Sequence, residues 1–123
     1  MNDNNLTEVY SYLVETIFAA VIRCDPVTIQ DIQSFGGDLV FENNSFLFTL
    51  PALFEFVLNS YERDTDVKIE ASRKNYLQFR KLLYSNPTNR ELRKLGGLVE
   101  IEIAGPTHDL NRYRLLTQGQ LHE

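Results

Sequence analysis

The sequence predicts an α+β domain: an N-terminal helix, two antiparallel β-hairpins over about 38–50 and 98–116 sharing one sheet, and helices packed on one face. Three observations carry this. Apolar residues recur at helical spacing from Leu6 to Val21. Asn43-Asn44 separates two strand-like runs, and Asn is the commonest residue after Gly to accept the positive φ of a two-residue type I′ turn. A second pair of alternating runs, Val99 to Ile103 and Arg112 to Leu115, brings apolar and opposed charged residues into one common register.

Taken in order, Asn5 followed by Glu8 forms an approximate capping box, and Leu6, Val9, Tyr10, Leu13, Ile17 and Val21 carry the first helix to about Arg23. Val14, Phe18 and Ile22 widen its apolar stripe, so more than one neighbour must cover it. Asp25-Pro26 reads as an N-cap with proline at the first helical position, and Gly36-Gly37 as the stop of a short second helix. A strand over Val27 to Ile32 is the competing reading, because β-branched residues crowd it.

In the first hairpin, pairing Glu42 with Ser45 sets Phe41 opposite Phe46 and Leu39 opposite Phe48 on one apolar face. The stretch from Phe35 to Tyr61 holds six of the eight phenylalanines and forms the centre of the core. Pro51 opens a helix through Ala52 to Tyr61, followed by a charged connector, Glu62 to Asp66. Val67 to Ala71 fits either a short strand or the start of a helix that reaches about Ser85 and is helical from Ser72 at the latest. Asn86-Pro87 repeats the cap-plus-proline signal for a short helix ended by Gly96-Gly97. In the second hairpin, Ile101 faces Tyr113, Val99 faces Leu115, Glu100 faces Arg114 and Glu102 faces Arg112. Residues 104–110 connect its strands, and the polar tail 117–123 frays.

Length and composition predict one globular domain over 1–123. No stretch reaches the roughly 20 apolar residues of a membrane span, and no basic segment precedes an apolar one as in a secretory signal. Cys24 is the single cysteine, which excludes an internal disulfide and fits the cytoplasm. The net charge of −5 is unevenly spread: residues 1–66 carry 11 acidic and 2 basic side chains, residues 67–95 carry 2 and 8. Such a split marks either two halves that neutralise one another or a surface for a charged partner.

The glycine pairs follow helices rather than precede them, so they are helix stops and not phosphate cradles. Asp64-Thr65-Asp66 lacks the glycine and the distal glutamate of a calcium loop. His108-Asp109 has no nucleophile placed nearby, and Cys24, His108 and His122 lack zinc spacing. No catalytic residue, cofactor or metal is therefore expected. One constellation stands out: Arg73, Lys74, Arg80, Lys81, Arg90, Arg93 and Lys94, on two successive helices followed by a hairpin.

The run LRKLGGLVEIEIAGPTHDLNRYRL resembles the final helix and wing of winged-helix DNA-binding regulators, with Leu95, Gly97, Leu98, Val99 and Glu100, then Tyr113-Arg114-Leu115, at comparable places. That resemblance implies DNA contact through the basic helices 72–95 and the hairpin 98–116. The wing tip, Gly105 to Asp109, lacks the Lys or Arg that touches phosphate. The leading expectation is a non-enzymatic module that binds a protein partner as a homodimer, because a wide helix stripe and an aromatic hairpin leave apolar surface to cover. DNA binding is one alternative, and enclosure of a small apolar ligand is the other.

Overall fold

A computed structural model describes residues 2–116, and the side chains of residues 6–107 and 109–116. The expected frayed tail, 117–123, and the side chains of Asn5, His108 and His122 lie outside the described residues. The first helix, α1, runs without a break through Asn2–Tyr12, a π-helical segment Leu13–Phe18, and Ala19–Ile22. It starts before Asn5 rather than being capped by it. Asn2, Asp3, Asn4 and Asn5 are all competent N-caps by type, so the side chains do not select one start.

Helix α2 (Pro26–Phe35) follows, with the Asp25 carboxylate accepting from the Thr28 backbone N–H at 3.0 Å. Gly36 ends it at φ 73°. Strands β1 (Val40–Glu42) and β2 (Ser45–Phe48) turn through Asn43 and Asn44 at φ 52° and 61°, the left-handed pair that a type I′ turn requires. Phe41 pairs with Phe46 and Glu42 with Ser45, as the sequence predicts.

Helix α3 (Leu50–Thr65) is longer than expected at both ends. The charged run 62–65 is its last turn and not a connector, because Glu and Arg are good helix formers that need no burial on an exposed turn. Asp66, left-handed at φ 62°, is the C-cap. Residues 67–71 are neither strand nor helix, and Ser72 caps α4 (Arg73–Ser85) by accepting from the Asn75 N–H at 3.1 Å. At the next junction Pro87 is itself the N-cap of α5 (Thr88–Lys94), while the Asn86 amide turns back to the Leu82 carbonyl at 2.8 Å.

Strands β3 (Leu98–Ile103) and β4 (Arg112–Leu116) form the second hairpin. Val99–Leu115, Glu100–Arg114 and Ile101–Tyr113 pair as predicted. A bulge then sets Ile103, not Glu102, opposite Arg112, although Arg112 Nε still reaches the Glu102 carboxylate at 3.4 Å. The hairpins join through β2 and β4 into one antiparallel sheet of order β1-β2-β4-β3.

The inner face of this sheet lies against α1, with the Phe18 ring centroid 5.9 Å from Phe48 and 6.5 Å from Phe46. Phe54 from α3 meets Phe79 from α4 at 5.0 Å, so one contiguous core absorbs most of the aromatic residues. On the opposite face Leu47 is also buried, flanked across the strands by Val40 and by Arg114. Among the described residues no helix is long and apolar enough to cross a membrane.

Candidate functional site: a cavity at the edge of the sheet

β3 is an edge strand, and it turns Val99 and Ile101 toward the inner side where α4 has already ended. The chain crosses that side through Asn86 and Pro87 into α5, leaving a cavity of about 410 Å³. Small-molecule sites commonly measure about 300–1,000 Å³. The floor is made by Phe18, Phe48 and Leu53, all fully buried. Tyr84 and Ile101, each 52% exposed, stand at the mouth with Asn86, Pro87, Asn89 and Arg90.

The polar groups around this opening are almost all committed. Tyr84 and Tyr113 share a hydroxyl–hydroxyl hydrogen bond, and Asn111 donates to the Tyr113 hydroxyl at 3.2 Å. Although the Tyr84 ring is half exposed, its hydroxyl turns inward, and burial with the Tyr113 bond holds its proton on well above the usual tyrosine range. Thr88 hydrogen-bonds Tyr10 at 2.7 Å, which ties α5 to α1. Asn89 accepts from the Val99 N–H at 2.8 Å and donates to the Val99 carbonyl at 2.9 Å. Its amide thus satisfies the edge of β3 at Val99, as a neighbouring strand would, and leaves the rest of that edge open.

The structure disperses the basic constellation. Arg73 and Arg80 both reach Asp109, at 3.3 and 2.9 Å, and Tyr76 donates to the same carboxylate at 2.6 Å. The Tyr76 bond, then Arg80 and Arg73, hold the Asp109 carboxyl below the usual range, while burial and the same bond push Tyr76 up. These contacts fasten the 104–110 connection to α4, with the Arg80 side chain mostly covered and that of Arg73 still exposed. Lys94 pairs with Glu91 at 3.4 Å. Lys74 and Lys81 sit exposed with Leu77 along α4, Arg93 is exposed on α5, and Arg90 alone of the seven lines the cavity. The supposed wing differs from a projecting hairpin too, since β4 is an interior strand bonded to β2.

Tyr84, Asn89 and Tyr113 have no distinguishing motif in the sequence. They meet only because α4, α5 and β4 converge, and the one sequence signal for a cavity is the abundance of aromatic residues. Among the described residues no group of three or more His, Cys, Asp or Glu is placed to hold a metal ion. The chain matches no known protein family, curated protein or solved structure.

Proposed function

We propose that the protein is a non-enzymatic binding module whose site is the cavity between β3, α4 and α5, and that its occupant is a small, mainly apolar ligand. The carrying observation is the cavity itself: a buried aromatic and aliphatic floor under an open mouth, with the surrounding polar groups already paired. Prepaired groups favour binding over catalysis, because the tyrosine hydroxyls and the Asn89 amide are held by one another or by backbone. Titration of labelled protein with 1-decanol, read as amide shifts of residues 83–90 and 99–101, tests this. Ile101→Trp places a bulky ring in the mouth, and overpacking costs about 1–3 kcal/mol, so affinity is expected to fall roughly tenfold. Shifts scattered over the whole surface, or unchanged affinity in the variant, would sink the reading.

A second reading is a protein partner, in the first instance another copy of this chain. It is favoured by the exposed apolar residues of β3: Ile101 is 52% and Ile103 57% exposed. They border the free edge of β3, and unpaired strand edges are templates for further pairing. Duplex DNA is the third and least supported occupant, because Arg73, Arg80 and Lys94 are engaged with acidic side chains.

A further inference from the structure

We propose that the ligand of this cavity carries one anionic head group, held at Arg90, so that the site takes a small amphiphile of the medium-chain carboxylate class. This rests on the reading of the cavity as a ligand site. Two residues of the wall are charged, Arg90 and Glu100. Neighbouring residues of a strand project to opposite faces, so while Val99 and Ile101 turn inward, Glu100 sends its carboxylate to the other face, where it pairs with Arg114. The Glu100 charge is thus answered by Arg114, and of the two charged residues of the wall only Arg90 is left to meet a charge on the ligand.

The Arg90 side chain is also uncommitted: among the described residues it makes neither a hydrogen bond nor an ion pair, and its neighbour Glu91 is paired with Lys94. The other polar side chains around the opening are occupied. Asn89 is spent on Val99, Thr88 on Tyr10, Asn86 on the Leu82 carbonyl, and the two tyrosines on each other. A head group arriving here thus meets one cationic set of donors, and that set is planar. A guanidinium offers a carboxylate two parallel charge-assisted hydrogen bonds, whereas it offers a neutral hydroxyl one weaker bond and repels an amine. An apolar tail over Phe18, Phe48 and Leu53, with the carboxylate at the rim, satisfies both parts of the site.

The test titrates wild type, Arg90→Gln and Ile101→Trp with decanoate and with 1-decanol at pH 7.5, following amide shifts and checking each variant's melting temperature. Decanoate should bind wild type more tightly than decanol does. Arg90→Gln should weaken decanoate about threefold to tenfold, the range for a charge-assisted bond at an exposed site, and leave decanol unchanged. Equal affinities for the two ligands in wild type, or an equal loss of both in Arg90→Gln, would overturn the anionic head group while decanol binding keeps the cavity reading. If neither ligand binds, or if Ile101→Trp affects neither, the cavity reading falls with it.

Discussion

Phe41 and Phe46 face one another across the first hairpin, yet only Phe46 is closed off from water, because β4 lies on its far side while β1 is the edge of the sheet. Phe46→Ala is therefore expected to cost about 3–5 kcal/mol and Phe41→Ala distinctly less, with Glu42→Ala within about 0.5 kcal/mol; denaturant melts rank the three. Ser45 is buried where the hairpin alone suggests exposure. It lies opposite Leu116 in the interior of the sheet, a neighbour that hairpin reasoning does not supply. Gly97 is constrained by packing in the same way. A Cβ there would stand 2.3 Å from Ile22 Cδ1 and 3.2 Å from the Leu116 carbonyl oxygen. Gly97→Ala should lower stability by about 1–3 kcal/mol in the same melts, and a neutral result would mean that the Ile22 side chain moves aside at no cost.

Helix boundaries follow the side chains that cap them, and Ser72 is the clearest case: its hydroxyl takes the Asn75 N–H that the first turn of α4 leaves unpaired. Ser72→Ala should cost about 1 kcal/mol, whereas Ser85→Ala at the other end, exposed and without a capping bond, should change little. The contact between α4 and the 104–110 connection depends on pH through Asp109. Tyr76, Arg80 and Arg73 lower its pKa in the folded state below the usual 3.8. Its contribution to stability is thus present in full above that unfolded value and is lost as pH falls through the lower native one. Melts of wild type and Asp109→Asn should differ by a constant amount from about pH 6 to pH 8 and converge in acid below about pH 4. A gap that stays constant into acid would show that the carboxylate charge plays no part in the tie.

At the scale of the whole molecule, aromatic residues that by number suggest a second subunit are mostly consumed by one core joining α1, the sheet, α3 and α4. The apolar surface left over is spread over several elements, Val27 on α2 being the most exposed, and the part that lies on a strand edge is Ile101 and Ile103 of β3. If a second copy uses this edge, light scattering at micromolar concentration should give a dimer, and Ile103→Lys should return a monomer, since an edge lysine opposes strand pairing. A wild-type monomer would remove self-association and leave the cavity as the functional surface. The charge split has a partial internal answer as well: the only acidic residue in the second connection, Asp109, draws two arginines of α4 onto itself.

The sequence by itself determined the α+β class, both hairpin registers up to the bulge at Ile103, and the cap of α2, because those features depend on neighbours a few residues apart: alternation, two asparagines at a turn, Asp25 before Pro26. The start of α1, the length of α3 and the role of Pro87 as a cap were less legible, since several residues in each place are chemically able to serve. Only the tertiary structure decided that β2 and β4 are adjacent, that Ser45 and Leu47 are buried, that Arg73 and Arg80 close on Asp109 while Arg90 is left at an opening, and that a cavity exists at all. The physical reason is that a cavity is volume left unfilled where elements distant in the chain meet. Tyr84 and Tyr113 are 29 residues apart, and no local pattern of side chains records that their hydroxyls touch.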